Sequence, residues 1–506
     1  MESFSAVTTA ARLTRLAGCI LLALPLHSTA ALAAGNTTPA QAAILSHALA
    51  PSPLREDLRH LTDDIGGRVS GTPAMAQAVE WAVSTFKAAG LEVHTESYDL
   101  PTSWTEESTR VELKGVRAFA VRAVSVAWAP STPAGGIEAP LVDVGNGTEA
   151  DFSRQAQHLP GAIALVHSSV LATWADLNDE YARAPGIIER SLKHKVQAIL
   201  WIGARDHLVL YRHTDASFAE IAALPMAILA REDGLRLART LAAHPGAARA
   251  HLSIANRVGG PIEQQNVIAE IRGREHPEEL VILGAHLDSW ELGTGALDNG
   301  CNAAMVIAAA RAIRAAAAVP RRTLQFVLFS GEEQGLVGSN AYVQRHRDEL
   351  DRVAAVIVFD SGSGRVTGYS LGGRDDIEAG VREVLAPLEG WDVDAHTLDA
   401  STGTDNLDFL LEGVPTLVAN QEESNYMINY HAATDTFDKV DLPNVQNEVA
   451  IAALTAYGIA ERAAPLGPRQ TRAQIEELMQ RTGLDQQLKL QGYWPGWESS
   501  TRGRRP

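Results

Sequence analysis

The chain has 506 residues, 46% hydrophobic and 21% charged, the balance of a globular protein rather than a disordered, collagen-like or repeat-array one. At about 150 residues per domain, this length accommodates two to four domains. The formal net charge of -18 excludes nucleic acid as a natural partner, because phosphates are bound by basic surfaces.

The N-terminus reads as a secretory signal peptide. Arg12 and Arg15 form a positive region, residues 20–26 an uncharged apolar core, and Ala31-Leu32-Ala33 a small-x-small cleavage site. Cleavage is expected near Ala33, and the product is expected to be secreted or periplasmic. The apolar stretch is shorter than the roughly 20 residues of a membrane span, so no stable membrane anchor is expected. Leu16-Ala17-Gly18-Cys19 looks like a lipid-attachment box, but there the apolar region should precede the cysteine, and here it follows. Cleavage leaves Cys301 as the one cysteine, which permits no intrachain disulfide. Asn36-Thr37-Thr38 and Asn146-Gly147-Thr148 fit the glycosylation pattern, which operates only on a eukaryotic secretory route.

Residues 53–90 have helical spacing, with a stop at Gly90, and 91–98 alternate like a strand. From about 127 to 255, short apolar runs at 162–166, 198–202 and 224–229 suggest an inserted β-rich module. After Asn266 the pattern becomes regular. Strands are expected at 267–271, 280–284, 324–329, 353–359 and 415–419, with helices at 302–318, 334–346 and 377–388. The resulting class is α/β, a mostly parallel mixed sheet covered by helices on both faces. The polar stretch from about Ala464 reads as a peripheral helix and a loose end.

In such sheets ligands bind beyond the carboxyl ends of the strands. Three expected strands end in His286-Leu287-Asp288, in Glu332-Glu333 and in Asp360, while Asp298 and His431 come from loops. Each alone is an ordinary cap or turn residue. Together, two imidazoles and several carboxylates make an N/O ligand set suited to zinc or another divalent cation. A two-metal site needs a ligand that spans both ions; Asp298 is the natural candidate, since a carboxylate has two oxygens. Water between two metals becomes a nucleophile, and a free carboxylate beside it can take and return its proton. The Glu332-Glu333 pair offers one residue for each task.

The motifs GAHLDSWELGTGALDNG, LFSGEEQGLVGS, VIVFDSGSG and NYHAATDTFDKVD resemble those of the co-catalytic zinc exopeptidases, the family of aminopeptidase Y, glutamate carboxypeptidase and the transferrin receptor ectodomain. The resemblance is nearest to the plasma glutamate carboxypeptidase (carboxypeptidase Q) branch. It extends to Gly66-Gly67-Arg68 and Ser70-Gly71-Thr72-Pro73, and residues 127–256 resemble the protease-associated insert of many members. It implies two zinc ions per chain, one on His286 and Asp360, the other on Glu333 and His431, with Asp298 bridging. Glu332 is then the general base, Asp288 holds the His286 imidazole from behind, and a cis peptide follows Asp298.

The expected division is a signal peptide over 1–33, a first catalytic part over 34–126, the insert over 127–256, a second catalytic part with the metal site over 257–465, and a tail over 466–506. The expected activity is hydrolysis of terminal peptide bonds in small peptides through a metal-bridging hydroxide. Aminopeptidase, dipeptidase and carboxypeptidase modes remain open. A single-zinc glutaminyl cyclase-like acyltransferase and a non-catalytic binding protein are the alternatives on the same fold. Thr404, Asp405 and Tyr430 are candidates for substrate contact, Cys301 is expected to pack at a helix start, and the branch resemblance suggests a homodimer.

Overall fold

The computed structural model describes residues 37–212 and 218–506. The expected signal peptide, Cys19 and Asn36 lie outside the described residues. Among those described, no helix is long and apolar enough to cross a membrane.

The first sheet has seven strands, in the spatial order Glu92–Leu100, Ile262–Ile271, Arg322–Phe329, His276–His286, Val353–Val358, Thr416–Gln421 and Val366–Ser370. The four strands from Arg322–Phe329 to Thr416–Gln421 pair in parallel, and antiparallel strands flank them on both sides. Side-chain alternation divides each central strand between two cores. Val281, Leu283, Leu324, Phe326 and Ile357 face one apolar cluster. Ile282, Val327, Phe329, Val356 and Val358 face the other. This period of two is what a strand buried on both faces requires.

The helix Cys301–Ala315 fills the first core almost along its whole length. Its alanines let it approach both the sheet and the helix Leu442–Glu461. Cys301 is fully buried at its first position.

The chain leaves this sheet after Leu100 and returns at Ile262. Between them lies a second sheet of eight strands, with strands from Trp104 to Val258, which also carries the helices Glu149–Gln155, Trp174–Lys193 and Arg231–Ala243. The insert is therefore mixed α/β rather than simply β-rich. Its sheet begins ahead of the boundary expected at Ala127, because Trp104–Lys114 pairs antiparallel with Arg249–Val258. A two-stranded signal of that kind joins residues too distant in sequence for local patterning to reveal.

The expectation of a loose C-terminal end is corrected. The helices Arg472–Thr482, Leu484–Leu490 and Trp494–Glu498 pack through Ile475, Leu484, Leu488 and Trp497 against Leu407 and Leu411. Arg502 then donates to both oxygens of the fully buried Asp408, at 2.6 and 2.7 Å. Breaking a buried pair from one side leaves an uncompensated charge. Arg502→Ala is expected to lower the unfolding free energy by about 3–5 kcal/mol, measured by urea denaturation; a change within about 0.5 kcal/mol, typical of a surface site, would contradict this packing.

Candidate active site

Three adjacent parallel strands deliver their polar ends to one edge of the first sheet. His286 ends the strand His276–His286, Glu332 and Glu333 follow Arg322–Phe329 after a short turn, and Asp360 follows Val353–Val358. His286 Nε2 lies 3.1 Å from Asp360 Oδ1 and 3.2 Å from Asp298 Oδ1. His431 Nε2 lies 2.9 Å from Glu333 Oε2 and 3.4 Å from Asp298 Oδ2. The five expected ligands thus form two triads that share Asp298, each with its ligand atoms within 4.8 Å of one another. All five are largely buried, Asp360 being the most accessible.

The chemistry of this set fits divalent cations. Asp298 Oδ2, Glu333 Oε1 and His431 Nδ1 are buried without hydrogen-bond partners among the described residues, although buried polar atoms are normally satisfied. Burial pushes the Glu333 and Asp360 carboxyls up, and the neighbouring Asp298 charge adds to the rise. Burial also draws His431 down to about 4, the neutral form that binds metal. Cations among these groups relieve the repulsion and favour ionised carboxylates.

The supporting bonds orient each ligand. His286 Nδ1 lies 3.0 Å from the main-chain carbonyl of Asp288, the position of an N–H donor, which leaves Nε2 for a metal. The Asp288 carboxylate, expected to hold the imidazole, has Oδ1 3.6 Å from His286 Nδ1 and also accepts the main-chain N–H groups of Glu332 and Glu333, each at 3.3 Å. It therefore fixes the turn that presents the two glutamates. The Asp298–Asn299 peptide is cis, as the family resemblance implied. Asn299 donates from Nδ2 to the Phe359 carbonyl at 2.9 Å, tying this loop to the strand that ends at Asp360.

Two further residues build the Asp298 loop without touching the reacting edge. Asp435 accepts the N–H groups of Ala296, Leu297 and Asp298 at 3.0, 2.6 and 3.1 Å. Burial raises its carboxyl to about 7, against the pull of those N–H groups. Arg68, fully buried, donates to the carbonyls of Leu287, Gly66, Thr294 and Gly295 at 2.8–2.9 Å. Gly67 beside it must lack a side chain, because a Cβ there would sit 2.3 Å from the Glu291 Cα. The sequence contains both residues inside the quoted motifs, but nothing local assigns them these bonds.

His431 is positioned from the insert. Its backbone has φ +55, and its carbonyl accepts the Arg212 N–H at 2.7 Å. The Ala433 N–H donates to Leu210 at 2.9 Å, and Tyr211 pairs with Ala432 in a short antiparallel bridge. Arg212 is fully buried between Glu106 and Glu291. The Tyr430 ring stacks on the His431 imidazole at 3.7 Å between centroids.

Beside the ligands lies a pocket of about 110 Å³, lined in part by Glu332, Glu333, Tyr430, His431, Thr402 and Gly403. Of the three expected substrate residues, Tyr430 is in this lining. Thr404 and Asp405 are buried beneath it, where burial raises Asp405 to about 8; the loop meets the pocket through Thr402 and Gly403 instead. Tyr181 of the insert and Tyr493 of the tail also line it, and the Tyr181 and Tyr430 hydroxyls are 3.3 Å apart. Neither stands in a sequence pattern that marks a pocket. Burial raises Glu332, and the nearby Asp360, Glu333 and Asp405 carboxylates add to the rise against the pull of His286, which suits a group that exchanges protons.

Residues 266–456, which contain every one of these ligands, match the model of Peptidase family M28. Carboxypeptidase Q of Mus musculus is 27% identical over 412 residues, covering 80% of this chain and 85% of the relative. Human carboxypeptidase Q is also 27% identical, over 409 residues and the same shares. A peptidase M28 precursor from Shewanella amazonensis SB2B superposes with a TM-score of 0.75 at 25% identity, covering 86% of this chain and 99% of its own. A zinc aminopeptidase from Bacillus subtilis shares the fold, with a TM-score of 0.64 at 19% identity over 85% of this chain and 98% of its own. The similarity to family M28 supports a metallopeptidase and agrees with the two triads built above.

Asp435→Ala removes three bonds from the loop that carries the shared ligand. Metal affinity is expected to fall about 10–100-fold, as for other residues that orient ligands, read by chelator competition with elemental analysis. Unchanged affinity would mean that the loop holds Asp298 unaided.

Proposed function

We propose that this chain is an exported two-zinc exopeptidase that hydrolyses terminal peptide bonds of small peptides, with Glu332 as general base. The observation that carries the reading is the pair of triads sharing Asp298, with a non-ligand carboxyl, Glu332, in the adjoining pocket. His286 and Asp360 would hold one ion, Glu333 and His431 the other, and Asp298 both. When bound, such ions supply Lewis acidity and a lowered pKa for the attacking water.

The rest is the work of the chain's own residues. Glu332 accepts the proton of the water and returns it to the departing amine. The Asp288 carboxylate keeps the Glu332 main chain in register during both transfers. The Tyr430 ring, stacked on His431, and the hydroxyl of Tyr181 beside it give the peptide a wall with both apolar surface and a hydrogen-bonding group. Similarity to carboxypeptidase Q and, at 25% identity over 309 residues, to the Bacillus subtilis aminopeptidase YwaD supports both carboxypeptidase and aminopeptidase modes.

Glu332→Gln keeps the size and removes the proton exchange. kcat is expected to fall by about 10²–10⁴ with metal content unchanged, measured by mass-spectrometric cleavage of free and N-blocked peptides. Loss of activity on chelation and recovery with zinc should accompany it. One ion per chain would instead point to the single-zinc acyltransferase, and an active Glu332→Gln enzyme would remove Glu332 from the mechanism.

A further inference from the structure

The M28 match ends at residue 456, yet the pocket beside the ligands takes Gln491 and Tyr493 from the chain beyond it. Tyr493 is not a passing surface residue. It is 7% exposed, and its ring meets the edge of Phe218 at 5.2 Å and lies under the Arg502 guanidinium at 4.4 Å. Phe218 in turn closes on Gly335 of the turn after Glu332-Glu333, where a Cβ would meet it at 2.7 Å.

The segment that carries Tyr493 is anchored on both sides. Arg502 holds buried Asp408, which also accepts from Asn340 Nδ2 at 2.8 Å. Arg347 donates to the carbonyls of Ser500 and Gly503 at 3.2 and 3.1 Å. The Arg504 N–H donates to Leu411 at 2.8 Å. A phenol ring locked in this way behaves as a fixed wall, and a fixed wall discriminates by size because neither it nor its backing can move aside cheaply.

We propose that Tyr493, held by the Arg502–Asp408 pair, is a specificity-determining residue whose ring restricts the substrate pocket to short peptides. This rests on the peptidase reading above and adds a substrate class to it. The ring volume is the operative feature, and the hydroxyl is dispensable for the length limit.

The test uses dialanine and pentaalanine with the zinc-loaded full chain, in two arms. In the first, wild type and Tyr493→Ala are compared by kcat/KM, and the pentaalanine-to-dialanine ratio is expected to rise about tenfold or more in the variant, the usual scale for a steric change in a pocket. Tyr493→Phe should keep the wild-type ratio. In the second, binding of both peptides to Glu332→Gln, with and without Tyr493→Ala, is measured by calorimetry, which reads the wall without turnover. Thermal melting and metal content confirm that each variant is folded and loaded. An unchanged ratio in Tyr493→Ala, or loss of the length limit in Tyr493→Phe, overturns the wall while leaving the peptidase reading intact. Tyr493-dependent selective binding with no cleavage by wild type overturns the peptidase reading and leaves the wall. Failure of both peptides to bind overturns both.

Discussion

Mutual repulsion among buried carboxylates is the constraint around which this molecule is organised. Asp298, Glu333 and Asp360 crowd a water-poor edge of the sheet with Glu332 close by, and two imidazoles separate them. Isolated charges cost many kcal/mol to bury, so such a cluster persists only with cations or protons to balance it. The surroundings of Asp298 hold its loop in place. Main-chain N–H groups converge on Asp435, a buried guanidinium at Arg68 ties the loops, and Asn299 locks the loop to the next strand.

Support for the site therefore extends well beyond the strands that carry it. The insert grips the His431 loop through main-chain bonds, with Arg212 clamped between two glutamates behind it. The C-terminal segment is fastened through Asp408 to the short helix Leu407–Leu411, itself just past Thr402 and Gly403 of the pocket. Geometry at the ligands is thus held from three directions, which suits a site whose parts must not drift by even an ångström.

What could be read from the sequence follows how local each signal is. Apolar runs such as 281–285 and 353–358 announce buried parallel strands, and the residue types at their ends announce metal chemistry. His286, Asp298, Glu333, Asp360 and His431 were legible for that reason, and the structure brings all five together. The burial of Asp405 was not legible, because a polar loop residue looks the same in sequence whether it faces a cavity or is enclosed. Tyr181 and Tyr493 were illegible because their roles come from long-range packing: one sits mid-helix in the insert, the other in a tail that reads as a peripheral helix and a loose end. The early start of the second sheet was hidden likewise, since Trp104–Lys114 finds its partner only at Arg249–Val258.

The interruption of the first sheet by the insert also sets an order of events during synthesis. Among the described residues the edge strand Glu92–Leu100 pairs only with Ile262–Ile271, so it emerges from the ribosome long before its neighbour exists. The described strands between them all belong to the second sheet, whose apolar core around Leu165, Leu200, Leu229 and Leu252 is drawn entirely from that stretch and can collapse first. That collapse shortens the effective loop that the first sheet must close, lowering the entropic cost of joining its two ends. In a nascent chain the insert is thus a brace, ready before the catalytic sheet is complete.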